Sequence, residues 1–319
     1  MFASFGALSL GDFPQVQATL NNFLTNLRND GHVAMRIGTK NQILRYLKLP
    51  TSHGVFHVDD KGGNDTYDGN SLLLIIAEKY ERLSGDRLDR NLLTEVVRWL
   101  DHHDRDGLLH EGMYASWEDS IKHTGPRLAT NVCYYRALVA AAALLDNPIY
   151  LKRAEHTKNA IGQWWNGEFF TDGANAVCMT GGNLLAILWG MTTKEQSSAI
   201  LKRIASRTSI IPPAGFWKPG SKDVFLLFFL INLSDYHGML EWSWLAAAEI
   251  AAYRVIGNSD EADRREKLVM ELIEKDATFY EVYENDKPVS RLVYRSEKDF
   301  AWALGMLTTS RANSFHIFS

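Results

Sequence analysis

Two kinds of helical pattern alternate along this chain of 319 residues, and that alternation constrains the fold more than any other feature. One kind carries a single apolar stripe, as in Phe13, Val16, Leu20, Phe23, Leu24 and Leu27, or Leu92, Leu93, Val96, Val97 and Leu100, or Leu268, Val269, Leu272 and Ile273. That spacing describes an amphipathic helix with one wet face. The other kind is apolar nearly all round: Leu72 to Ala77, Val132 to Leu145, Leu184 to Trp189, Leu245 to Tyr253 and Phe300 to Leu307. A helix with no polar face must be buried on every side. The buried kind starts near Phe2, Asn70, Asn131, Asn183, Trp242 and Asp299, at spacings of 68, 61, 52, 59 and 57 residues. A helix pair recurring about every sixty residues is a repeat architecture. Strand signals are weak, the clearest being Phe279 to Tyr283. The expectation is therefore an all-α (α/α)6 toroid occupying 1–319 as a single domain, with six inner helices sheathed by outer ones. About a dozen residues follow the sixth inner helix, so only five good outer helices are expected, and the toroid is incomplete at its ends.

Composition narrows the partners. Lys and Arg number 34 against 38 Asp and Glu, a net charge of −4, which leaves no basic footprint for nucleic acid or an anionic membrane. The N-terminus lacks the charged and apolar regions of a signal peptide. The longest apolar run, Val224 to Ile231, falls far short of the roughly 20 residues that span a bilayer. Two cysteines, Cys133 and Cys178, are too few for a disulfide framework and suit a reducing compartment, so a cytoplasmic location is expected.

The segments that precede the inner helices share a vocabulary of Gly, aromatic, carboxylate and amide residues. They are Gly62 to Asn70, Met113 to Ser120, Asp172 to Asn183, Asp235 to Trp244 and Glu281 to Glu297. In a toroid of hairpins these loops fall at one end, so polar groups far apart in sequence converge there. Carboxylates among Trp and Tyr rings suit carbohydrate, since rings cover the apolar faces of a sugar while Asp, Asn and His bond its hydroxyls. Hydrolysis of a glycosidic bond needs one carboxylic acid and one carboxylate on opposite sides of that bond. Composition does not choose the pair.

Asp106-Gly107-Leu108-Leu109 with Ser116-Trp117-Glu118-Asp119, then Gly125-Pro126-Arg127 and Asn131 to Leu138, resembles the catalytic-acid region of six-hairpin glycosidases. The likeness is to the amylo-α-1,6-glucosidase part of glycogen-debranching enzymes, to processing α-glucosidases and to glucoamylases. Three further stretches resemble that family in order. They are Asn64-Asp65-Thr66-Tyr67-Asp68 for its substrate loop, Tyr236-His237-Gly238 with Trp242-Ser243-Trp244, and Phe279 to Tyr283 for the segment of its base. The resemblance implies an inverting hydrolase of α-glucosidic linkages in oligosaccharides or glucan ends, with Asp119 the general acid and Glu281 the general base. It makes Asp68 a ligand of sugar hydroxyls, places Trp117, Tyr236, His237, Trp242 and Trp244 in the cavity wall, and has Arg127 and Asn131 support the acid loop within the substrate-binding set. Asp119 should be raised in pKa by burial beside Trp117 and by Glu118 if that side chain turns inward, Glu281 should stay ionised, and the two carboxyl groups should lie roughly 6.5–9.5 Å apart.

The chain departs from the family pattern at four places. Met1 is expected to fall inside the first inner helix, so the family's Arg-Asp loop before it is not expected in these residues; Gly238-Met239 stands for Asn-Gly, Ser243 for Pro, and Ala129 for a Glu. A catalytically impaired carbohydrate-binding toroid is the alternative reading, and an isomerase or lyase a third. Glu241, Glu284 and Glu297 compete with Glu281 for the base, and Asp68 could simply cap the helix near Asn70. Trp164, Trp165, Trp189 and Trp302 read as packing. His102-His103-Asp104 reads as a solvated helix end and not a metal site, Asp104-Arg105-Asp106-Gly107 lacks the closing Glu of a calcium loop, and the pairs Gly62-Gly63 and Gly181-Gly182 lack the context of a phosphate loop. No cofactor or metal is expected.

Overall fold

In the computed structural model, residues 1–39, 49–50, 52–57, 65–291 and 293–311 are described. The inner helices are α1 (Phe2–Ser9), α3 (Asp68–Ser84), α5 (Leu128–Leu144), α7 (Thr180–Leu188), α10 (Ser243–Val255) and α12 (Ala301–Arg311). They pack in that cyclic order, and α12 returns to α1 to close the ring. Closure depends on two glycines. A Cβ on Gly6 would lie 2.6 Å from Gly305 Cα, and one on Gly305 2.7 Å from Ala3 Cα, so the two helices cross backbone to backbone.

The outer helices are α2 (Phe13–Thr25), α4 (Arg90–His103), α6 (Ile149–Gly162), α8 (Lys194–Ala205) and α11 (Ser259–Asp276). Each lays its apolar stripe on the inner helix before it. Side-chain caps at Asp12, Asp89, Thr193 and Asn258 accept free N–H groups and start four of the five. The residues after α12 lie outside the described ones; at its end Arg311 pairs with Glu266 of α11, 2.8 Å away. One extra short helix, α9 (Leu226–Leu230), stands in the loop before α10. No helix among the described residues is long and apolar enough to cross a membrane.

Three inner helices share one device. Asn70, Asn131 and Asn183 are fully buried near the helix starts, and each side chain brackets backbone of a preceding segment. Asn131 accepts from Leu109 N and donates to Leu109 O and Arg127 O; Asn183 does the same with Phe170 N, Phe170 O and Met179 O; Asn70 serves Val33 N, Gly31 O and Val96 O. A buried amide with all these bonds satisfied fixes each loop to its helix.

Small antiparallel sheets complete the loop end. Strands β1 (Arg36–Thr39) and β2 (His53–Phe56) form one, and β3 (Asp104–Arg105), β4 (Leu108–Glu111) and β5 (Gly125–Pro126) a second. The third joins β6 (Glu241–Trp242), β7 (Val282–Glu284) and β8 (Lys287–Pro288). The calcium-like stretch is the β3–β4 turn: Asp106 and Gly107 both have positive φ, and Gly107 N–H donates to Asp104 Oδ1. His103 and Asp104 are not a solvated helix end either, because His103 bonds Trp99 O and Asp104 accepts from the Tyr134 hydroxyl. The pair Gly181-Gly182 makes room: a Cβ on Gly181 would press on the rings of Trp117 and Trp244 at 3.0 Å, and one on Gly182 would lie 2.9 Å from Ala129 N.

Candidate active site

The loop between β4 and α5 presents Glu118, Asp119 and Ser120 in opposite directions: Glu118 and Ser120 are buried, while Asp119 is open to solvent. The expected inward turn of Glu118 toward Asp119 does not occur. Glu118 instead accepts from Arg127 Nη2 at 2.6 Å, Arg127 also pairs with Asp172, and Asp172 Oδ1 accepts from Leu128 N. All three side chains are buried, and burial pushes Glu118 up to about 7. Ser120 is held by His237, whose Nδ1 lies 2.7 Å from the Ser120 hydroxyl. Pinned on both sides, Asp119 stays at the surface of the loop end, where the protein groups crowded around its carboxyl and then the charge of Asp68 raise it to about 6.

Asp68 is the first residue of α3. The backbone N–H groups of Asp68, Gly69 and Trp117 face its carboxylate, yet burial outweighs them and raises it to about 6. Its carboxylate thus lies at the start of α3 and beside Asp119. Gly62, Gly63 and Asn64, from the same loop, lie outside the described residues.

Glu281 arrives through the third sheet. Pairing of Trp242 with Val282 sets the register, and the Ser243 N–H and hydroxyl then both donate to the Glu281 carbonyl, at 3.0 and 3.1 Å. A proline at position 243 would provide neither bond. Glu281 Oε2 accepts from the Tyr294 hydroxyl at 2.9 Å and from Tyr236 at 3.3 Å. Burial still raises Glu281 to about 7, against these two bonds and helped by the charges of Glu297 and Asp119. The carboxyl expected to stay ionised is therefore pushed toward neutrality by its surroundings. Of its rivals, Glu241 is buried and accepts the N–H groups of Asn285 and Asp286 in the β7–β8 turn, and Glu284 pairs with Arg291. Both side chains are committed elsewhere.

The aromatic residues are less open than expected. Tyr236, His237, Trp242 and Trp244 are all buried, and only Trp117 is partly exposed. Trp117 meets His237, Trp242 and Trp244 edge to face at 5.0–5.5 Å, and His237 stacks on Trp242. They form a packed bed beneath the acid loop, in which burial keeps His237 neutral, down to about 3. Arg127 and Asn131 are equally enclosed, and their bonds run to protein groups that hold the loop of Asp119. Sequence reasoning missed Tyr294, Ser120 and Asp172 as partners of this site. Among the described residues no group of three His, Cys, Asp or Glu side chains is arranged to hold a metal.

Six inner helices in a closed ring, five of them followed by an outer helix among the described residues, form an (α/α)6 toroid, a fold shared with solved glycosidases. Solved structures with this fold include a glycosidase point variant (TM-score 0.70, 14% identity, covering 99% of this chain and 86% of that one). Others are a GH63 mannosylglycerate hydrolase from Thermus thermophilus in complex with glucose (0.66, 13%, 97% and 91%) and an α-amylase from Clostridium perfringens (0.57, 13%, 94% and 83%). At such identities the likeness is one of fold. No protein-family model and no curated protein matches the sequence.

Proposed function

We propose that the protein is a glycoside hydrolase that cleaves α-glucosidic linkages of oligosaccharides or glucan ends with inversion. The observation that carries this reading is the meeting of Asp119 and Glu281, from loops far apart in sequence, each raised toward neutrality and Glu281 partly by the charge of Asp119. Asp119 gives its proton to the leaving oxygen as the bond from that oxygen to the anomeric carbon breaks. Glu281 takes a proton from a water whose oxygen bonds the same carbon from the opposite face. Asp68 holds sugar hydroxyls beside the acid, and Trp117 offers its partly open ring. The chain works as one catalytic domain, and the buried, unpaired Cys133 and Cys178 suit the cytoplasm. NMR of the first-formed anomer from α-linked oligosaccharides tests the proposal. Inversion is expected, with at least a ~10³-fold loss in Asp119→Asn and Glu281→Gln; retention, or full activity in either variant, overturns it.

A further inference from the structure

Helix α9 is the most exposed apolar feature of the described chain. Leu230 is 70% exposed, Leu226 62%, Leu227 52%, Phe229 47% and Phe225 45%. Isolated surface leucines need no explanation, but five large apolar side chains in six consecutive positions do. Their location supplies one. Residues 223–225 run antiparallel beside 120–122: Lys122 N donates to Asp223 O at 2.7 Å, Phe225 N to Ser120 O at 2.9 Å, and Ile121 bridges to Val224. The segment is therefore fastened to the residues that directly follow Asp119. On its inner side Phe228 rests on the Tyr236 ring, 5.4 Å away, and Tyr236 in turn donates to Glu281. The apolar helix thus stands beside the loop of Asp119, with its inner side against the tyrosine that bonds Glu281.

An acid that protonates the leaving oxygen has the leaving group on its own side of the bond. A sugar placed there would need partners for each hydroxyl, and positions 224–231 offer no polar side chain. We propose that α9 is the platform for an apolar aglycone, so that the preferred substrates are glycosides whose leaving group is an alkyl or aryl alcohol. This rests on the assignment of Asp119 as the acid. The reaction is unchanged: water adds, the anomeric carbon–oxygen bond breaks, and the alcohol departs with the proton of Asp119.

The test is kcat/KM for a series of alkyl α-glucosides from methyl to octyl, each below its micelle-forming concentration. Burial of methylenes predicts a roughly two- to fourfold rise per carbon, and that slope should flatten in the double variant Leu226→Ser, Leu230→Ser. A slope is a ratio within one preparation, so it does not depend on how much of a variant is folded. If no glucoside is turned over, the hydrolase reading fails by itself. The platform is then tested by equilibrium dialysis of octyl against methyl α-glucoside, where the same length dependence and the same loss in the variant are expected. Affinity and kcat/KM that are independent of chain length, or a slope retained in the variant, overturn the proposal. So does a flat slope together with either of two findings: a dimer in sedimentation that the substitutions dissociate, or phosphatidylcholine-vesicle binding that they abolish.

Discussion

Replacing Glu281 by Gln should make the protein more stable, and only at neutral and alkaline pH. Burial raises the carboxyl from its ordinary 4.5 to about 7 despite two tyrosine hydroxyls donating to it. Below pH 4.5 it is protonated in both folded and unfolded chains and contributes nothing. Between 4.5 and 7 the folded protein keeps a proton that the unfolded chain has released, so wild-type stability falls as pH rises; above 7 the cost is complete. Two and a half pKa units at 1.36 kcal/mol each give about 3.4 kcal/mol, and allowance for solvent around a half-buried side chain reduces this to about 2 kcal/mol. Asp68 and Asp119 are raised in the same direction, but they are present in both proteins and cancel in the comparison, except that losing the Glu281 charge relieves Asp119 slightly, with the same sign. Urea unfolding followed by tryptophan fluorescence at about pH 4.5, 6 and 8 measures the difference. Glu281→Gln should match wild type within about 0.5 kcal/mol at pH 4.5 and exceed it by about 2 kcal/mol at pH 8. Parallel stability curves, or a variant weaker at the alkaline end, would refute the claim that Glu281 is held where it is at a cost to the fold.

Asn131→Ala and Asn183→Ala should lower stability by similar amounts, about 2–3 kcal/mol in urea unfolding, because each removes one side chain bonded to three buried backbone groups. A far larger kinetic than structural effect of Asn131→Ala would instead make it a sugar ligand. Gly182→Ala should cost about 2 kcal/mol or more, since its Cβ meets Ala129 N and Leu128 Cγ, and Gly6→Ala should lower the melting temperature by forcing α1 from α12. Glu241→Gln should keep most of kcat, because that carboxylate is taken up by the backbone N–H groups of a turn, and a loss equal to that of Glu281→Gln would reverse the choice of base.

The ring was legible because helices apolar all round have nowhere to go but inside, and Asn70, Asn131 and Asn183 mark equivalent positions in three repeats. The proposed acid and base positions rest on motif resemblance, not on periodicity. Orientation was harder to read. Trp242, Trp244 and His237 stand in loop-edge sequence, yet the apolar area of their rings is best spent beneath the acid loop, where they close against one another. Glu118 and Asp119 part because they stand in a turn closed by the Ile121 N–H on the Glu118 carbonyl, which leaves Asp119 outside and Glu118 and Ser120 buried. Ser243 looked like the loss of a family proline; only the pairing of β6 with β7 reveals the two bonds it makes to Glu281.

The carboxyl values leave one assignment to chemistry. Asp119 titrates near 6 and Glu281 near 7, so the rate should follow a narrow bell centred near pH 6.5. Both carboxyls are raised toward neutrality, so either can carry the one proton they share. The bell has the same shape whichever group carries the proton, so a pH profile does not separate acid from base. A leaving group that needs no protonation does. On α-glucosyl fluoride, Asp119→Asn should keep most of the wild-type rate, because only proton donation is lost, whereas Glu281→Gln should remain inactive, because its water is not activated. The opposite pattern would exchange the two roles, and it would also move the leaving group away from α9, removing the apolar helix from the aglycone side.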